Sequence, residues 1–259
     1  MDDVISTEPF PIDTGHARFA VDGDSVTLHV NGLPSSQWFW SRPDLLEFEY
    51  MNWMMTAVAV VFPASARLRC LHLGAGACSL ARAIVHGWPR SRHLAVEVDA
   101  KLAAAVRAQV PLPRSPVLRI RVADAVEVLQ ARPPGGHDLA IRDVFDAAGR
   151  TPDGLTGPQA AAWAASALGE RGLYLANCGD QPRLPAARRE VRDLAEAFPY
   201  VAVIAEAGQW RGRRRGNAVL VAAGSQLSAG QERELARRLA GAGFPARLLP
   251  NAEARAWAA

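Results

Sequence analysis

Residues 71–80, Leu71-His72-Leu73-Gly74-Ala75-Gly76-Ala77-Cys78-Ser79-Leu80, read as a strand that runs into a glycine turn and opens a helix. Glycines at such a turn let the backbone approach a ligand closely, and the helix start offers free N–H groups. About twenty residues further on, a second apolar run ends in Val96-Glu97-Val98-Asp99. A carboxylate at that tip can accept hydrogen bonds from both hydroxyls of a ribose. A third run ends in Ala123-Asp124-Ala125, where Asp124 can receive an adenine amino group. Gly74, Gly76, Glu97, Asp124 and Ala125 are therefore the candidate nucleoside-binding residues. Either acid alone reads as well as a helix cap or a solvated loop residue; the ordered set favours the nucleoside. The turn is G-x-G without a third glycine at the dinucleotide spacing, and no second mononucleotide half follows. One adenosine-type ligand fits better than NAD.

A fourth apolar run leads into Arg142-Asp143-Val144-Phe145-Asp146. Two aspartates three residues apart at the carboxyl end of a strand lie where the reactive end of such a ligand should sit. Asp143 and Asp146 are the candidate catalytic residues, with capping of the following loop as the alternative reading. No metal site is expected. His72, His86 and His93 fall near Cys70 and Cys78, but at no zinc-ligand spacing.

The elements that must position these groups follow from periodicity. Residues 17–40 alternate between short strand-like segments and the turns Asp22-Gly23-Asp24 and Asn31-Gly32, which reads as a hairpin series. Residues 44–62 carry apolar groups at helical spacing after Pro43 and Asp44. Strands at 68–73, 93–98, 118–122 and 139–141 then alternate with alanine-rich helices at 79–86, 100–109 and 124–131. A helix at 158–168, a strand at 172–177, a helix at 185–197 and strands at 200–206 and 217–223 continue the pattern, before a helix at 228–241 and a short strand at 246–249. The expected fold is α/β, a doubly wound, mostly parallel sheet with a small N-terminal β-hairpin appendage. The expected organisation is a hairpin region over 1–43, a nucleoside-binding catalytic domain over 44–225, and a C-terminal helix and tail over 226–259.

The 259 residues are 49% apolar and 21% charged, which excludes wholesale disorder and a disulfide scaffold. Lys101 is the only lysine among 29 basic residues, and the net charge is only +3. The arginines come without interleaved aromatics or a recognition motif, so nucleic acid is not an expected partner. No apolar run approaches the ~20 residues of a membrane span, and the N-terminus lacks signal architecture. Three unpaired cysteines point to reduced thiols, and a cytoplasmic location with no membrane partner is expected.

The order of these motifs resembles class I S-adenosylmethionine-binding (Rossmann-like, methyltransferase-like) folds. With the D-x-x-D segment at 143–146 the chain resembles the spermidine synthase (polyamine aminopropyltransferase) superfamily, and most closely its divergent actinobacterial members. Further matches are Asn31-Gly32 with Gln37, Glu47-Phe48-Glu49-Tyr50-Met51, Leu155-Thr156 and Gly212-Arg213-Arg214-Arg215-Gly216-Asn217, over about residues 20–223. The resemblance implies transfer of an aminopropyl group from decarboxylated S-adenosylmethionine to a small amine in polyamine biosynthesis, releasing methylthioadenosine, by a homodimer and without metal. It implies that Asp143 orients the attacking nitrogen and that Asp146 helps to position the amine or the nucleoside. Gln37 and Tyr50 would close over the ligand.

The chain also departs from the family. Ala77 stands where the family places an acid that suits the decarboxylated donor, which implies a relaxed choice between that donor and S-adenosylmethionine itself. The acidic segment that grips a distant polyamine ammonium is only echoed by Gly179-Asp180-Gln181, and an arginine run occupies 211–215. A methyltransferase and a non-catalytic nucleoside-binding relative are the competing expectations.

Overall fold

The computed structural model describes residues 5–146 and 149–259. Two sheets organise them. The first is an antiparallel meander of β1 (Phe10–Ile12), β2 (Gly15–Asp22), β3 (Ser25–Val30) and β4 (Leu33–Phe39) in that order. Asn31 and Gly32 both take positive φ, 51° and 81°, as a tight hairpin whose twist matches its strands requires. Alternate residues Phe19, Val26, Leu28 and Trp38 are buried on one face. A short meander cannot bury its own apolar face, and this one packs on Leu102, Val106 and Val110.

The second sheet has eight strands in the order β12-β10-β11-β9-β8-β5-β6-β7. β5 (Arg69–Leu73), β6 (Arg92–Glu97), β7 (Leu118–Val122), β8 (His137–Arg142) and β9 (Leu168–Asp180) run parallel. β10 (Tyr200–Ala205), β11 (Gly216–Ala223) and β12 (Arg247–Leu249) complete it through antiparallel pairings. Both faces are covered. Helices α1 (Glu49–Val61), α2 (Ser79–Gly87) and α8 (Ala229–Ala240) close one apolar layer. Helices α4 (Ala125–Gln130), α5 (Gly157–Ala167), α6 (Pro185–Ala197) and α9 (Asn251–Ala258) close the other, while α3 (Ala100–Gln109) lies under the meander. Burial on two faces is why β10 and β11 read as nearly unbroken apolar runs.

Some boundaries differ from expectation. The first helix begins at Glu49, not near residue 44. Asp44 is held by the Arg42 guanidinium through two hydrogen bonds, and the Leu46 carbonyl accepts from the Asn52 side chain, so 44–48 form an irregular lead-in. β9 extends back to Leu168, beyond the apolar run, because Glu170 and Arg171 project into solvent at the sheet's end. The four-residue α7 (Ala207–Trp210) and the terminal α9 give too short or too polar a pattern to be legible. Among the described residues no helix is long and apolar enough to cross a membrane. Cys70, Cys78 and Cys178 are free and buried, and burial pushes the Cys78 thiol up to about 12.

Candidate active site

Strand order reverses between β5 and β8, since β6 and β7 extend one way and β9 the other. In open α/β sheets a crevice forms at such a switch point, outside the strands' carboxyl ends. Gly74 follows β5 and Asp143 follows β8, and the Asp143 amide donates to the Leu73 carbonyl at 2.9 Å. A side chain at Gly74, where φ is 89°, would come within 2.1 Å of the Asp143 carbonyl oxygen. One at Gly76, where φ is 47°, would meet Ser36 Oγ at 2.4 Å. These two glycines let the crevice wall and the meander close on the turn.

Every amide of the turn has an internal acceptor. Gly74 N–H donates to the Val96 carbonyl, Cys78 N–H to Ala75, Gly76 N–H to Glu97 Oε2 at 3.2 Å, and Ala77 N–H to Ser36 Oγ at 3.0 Å. The Ala75 amide also bonds to Glu97. The start of α2 itself carries no side-chain cap. Glu97 Oε1 accepts from the Asp99 amide at 3.2 Å. Burial pushes the Glu97 carboxyl up, and the backbone N–H groups of Asp99, Gly76 and Ala75 oppose it. A carboxylate offers about four lone-pair positions, so beside these three backbone donors acceptor capacity remains for a ribose hydroxyl. Val98 beside it is 61% exposed, an apolar side chain left bare at the strand tip. Asp124 caps α4, accepting from the Val126 amide at 2.6 Å, and its exposed carboxyl stands at the end of β7 next to Ala125.

Asp143 is the best-supported side chain in the crevice. Tyr50, buried on the first turn of α1, donates its hydroxyl to Asp143 Oδ2 at 2.8 Å. Asn177, on β9, donates Nδ2 to Asp143 Oδ1 at 3.0 Å. That bond fixes the orientation of the amide, because only its nitrogen can face a carboxylate. Asn177 Oδ1 is then a buried acceptor with no partner among the described residues. Burial pushes the Asp143 carboxyl up, while Asn177, Tyr50 and the Arg142 charge pull it back down. Burial, reinforced by the charge on Asp143, holds the Tyr50 hydroxyl far above its ordinary range, so it stays a donor. Beneath lies Arg142, 1% exposed, whose guanidinium donates to Glu190 Oε2 at 2.6 Å and to the Leu155 and Asn177 carbonyls.

The two aspartates of the D-x-x-D segment therefore have different environments. Asp146 accepts from the Arg150 amide and pairs with its guanidinium at 3.0 Å, which is the loop-capping geometry. Gln37 donates to Ser25 Oγ and to Glu47 Oε2, both at 2.7 Å, tying the meander to the approach of α1 rather than to Asp143. Ala77 is fully buried in the apolar seam with Trp38 and Leu102, so its methyl group faces no ligand. The expectation that this position selects the donor loses its basis. Asp180 is turned toward α6, accepting from the Ala187 amide at 2.8 Å.

Sequence reasoning missed Asn177, Ser36 and the Asn217–Glu49 contact at 3.1 Å that braces α1 against β11. For Asn177 there was a signal, a lone polar residue in the apolar run Leu173-Tyr174-Leu175-Ala176-Asn177 at a parallel strand's carboxyl end. His72 and His93 form a buried pair, bonded at 2.9 Å, with His93 Nε2 2.7 Å from Ser91 Oγ. Ser91 donates to the Trp88 carbonyl, so the chain of protons runs from His72 to His93 to Ser91.

No family model and no curated protein matches the sequence. Solved structures do. A probable spermidine synthase from Corynebacterium glutamicum superposes with a TM-score of 0.93 at 34% identity, over 99% of this chain and 95% of the other. The spermidine synthase of Thermotoga maritima matches with a TM-score of 0.62 at 15% identity, covering 90% of this chain and 76% of its own. Human methyltransferase-like protein 13, in complex with SAH, matches at 0.58 and 21% identity, covering 73% and 89%. The last two show the shared fold alone.

Proposed function

Because this chain belongs to the spermidine synthase family, we propose that it transfers an aminopropyl group from decarboxylated S-adenosylmethionine to an amine held by Asp143. The single observation that carries this reading is the acceptor set at the switch point. Asp143 is braced at both oxygens by Tyr50 and Asn177, and Asn177 Oδ1 beside it is buried without a partner among the described residues. Unused acceptors in a buried crevice call for an N–H donor from a ligand. An attacking amine is such a donor.

In the reaction, the amine lone pair forms a bond to the methylene carbon next to the sulfonium. The carbon–sulfur bond breaks, and its electron pair leaves on sulfur as the neutral thioether of methylthioadenosine. The new ammonium then loses a proton. The enzyme's task is to align nitrogen and carbon and to keep the nitrogen unprotonated. Asp143 serves both ends: its remaining lone pairs orient the amine N–H, and a carboxyl raised by burial is a better proton acceptor than a solvated one. Gly74, Gly76 and Glu97 would hold the nucleoside, with Asp124 and Ala125 at its adenine end; Gln37 would act through the meander that covers the turn. Asp146 would set the loop over the amine through Arg150.

A methyltransferase using S-adenosylmethionine is the second reading, since a methyltransferase-like protein in complex with SAH shares the fold. The two separate in one experiment. The protein is incubated with each donor and a panel of amines, and the released nucleoside is identified. Methylthioadenosine from the decarboxylated donor supports the proposal; S-adenosylhomocysteine, from S-adenosylmethionine alone, overturns it. A homodimer is also proposed, because exposed apolar side chains Val21, Leu33, Trp40 and Leu45 concentrate on the meander and its exit.

A further inference from the structure

We propose that the acceptor amine carries an anionic group, carboxylate or phosphate, at the end remote from Asp143. This rests on the transfer reading above and names its substrate class. β9 and β11 pair Asn217 with Gly179 and Gly216 with Asp180. The pair Gly216–Asp180 lies three residues along from Asn177, ~10 Å at the usual strand rise. There the turn 211–215 meets the turn after β9. Arg183 packs its side chain against Gly212, and its amide donates to the Gln209 carbonyl, so the two turns form one rim.

The rim is cationic and its charges are unspent. Arg183, Arg211, Arg213 and Arg215 are exposed and have no ion pair among the described residues; Arg214 is bonded to Glu206. Of the carboxylates nearby, Glu206 is paired with Arg214, Asp180 is turned away to the Gln181 and Ala187 amides, and Glu49 accepts from Asn217, so four arginines outnumber the two acids left without a cation. Behind the rim, Gln209 is 1% exposed, with its Nε2 lacking a partner among the described residues and lying against Gly216. The orphaned group there is a donor, whereas the orphaned group beside Asp143 is an acceptor. A diamine would place its second ammonium against four arginines. An amine with an anionic tail satisfies both ends.

The test compares chains of similar length on protein saturated with methylthioadenosine: 5-aminopentanoate, 3-aminopropyl phosphate, 1,5-diaminopentane and uncharged-tailed pentylamine. Calorimetric binding and methylthioadenosine release from the decarboxylated donor are both read. The anionic-tailed amines are expected to bind at least tenfold tighter than the diamine at low salt. The Arg213→Ala/Arg215→Ala variant should lose most of that preference, and Arg233→Ala on α8 should keep it. Arg183→Asn, chosen because Arg183 has a φ of 72°, should act in the same direction. Tighter binding of the diamine, or a preference indifferent to the rim arginines, overturns the proposal. Anion-selective binding without turnover of any amine, pentylamine included, supports the anion-binding rim and overturns the transfer reading, and with it the amine's role as acceptor.

Discussion

Replacing Tyr50 by phenylalanine isolates one support of Asp143. The ring keeps its place, since Tyr50 is buried and stacks on Phe48 at 6.1 Å between centroids, and only the hydroxyl that donates to Asp143 Oδ2 at 2.8 Å is removed. A hydrogen bond to a charged group contributes about 1.5–3 kcal/mol. At 1.36 kcal/mol per pH unit, losing it raises the Asp143 pKa by ~1–2 units. The sign follows from the role. Asp143 must be ionised to take the amine's proton, burial already pushes its carboxyl up, and Tyr50 opposes that push. In Tyr50→Phe the acidic limb of kcat/KM for the amine therefore moves to higher pH by ~1–2 units, while the alkaline plateau is recovered. Asn177→Leu removes the other support, at 3.0 Å, and should shift the limb in the same direction. The assay is methylthioadenosine release over pH 5.5–9.5 at saturating donor. A limb unmoved in both variants, or a drop uniform across pH, would refute the assignment of Asp143 as the ionised group.

Other expectations follow from the same geometry. Glu97→Ala should abolish most of the thermal stabilisation that methylthioadenosine gives the wild type, and NAD should stabilise neither; equal shifts in mutant and wild type would count against the ribose assignment. Ala77→Asp places a carboxyl in an apolar seam, and keeping it neutral at pH 7 costs ~4 kcal/mol, about three units above its ordinary pKa. Its Tm should fall by roughly 10 °C, whereas an unchanged Tm would mean that the position opens to the cleft after all. His72 and His93 are both held below the ordinary range by burial, His93 at about 4. A depressed folded-state pKa makes stability complete above the unfolded value near 6.5 and lost as pH falls through it toward 4. Each contributes a slope of up to ~1.4 kcal/mol per pH unit, which His93→Gln should flatten in denaturant titrations between pH 5 and 7.

Much of this site is legible in the residues because strand ends are. Glycines after β5, Glu97 at the end of β6, Asp124 after β7 and Asp143 after β8 are read in order from an alternation of apolar runs and alanine-rich helices, and the sheet places Gly74 against Asp143 at its reversal. What was not legible depends on contacts distant in sequence. Nothing local says that Ser36 of the meander receives the Ala77 amide, or that Ala77 points into the seam with Trp38. The D-x-x-D spacing gives the two aspartates equal standing; only the loop geometry shows Asp146 turned to Arg150 while Asp143 faces Tyr50 and Asn177. The irregular segment before α1 is hidden for a similar reason, as Arg42 takes the acid that periodicity assigns to a helix start.

The most direct test of the central claim is Asp143→Asn, followed through binding and turnover on the same preparation. The substitution keeps the side chain's size and leaves Gly74, Gly76 and Glu97 untouched. Methylthioadenosine should stabilise the variant as it does the wild type, while release of methylthioadenosine from decarboxylated S-adenosylmethionine and amine falls by ~10²–10⁴, the scale of a lost positioned acid–base group. Turnover that survives in the variant, or a wild type that releases no methylthioadenosine with any amine, would contradict the assignment of Asp143 to the transfer.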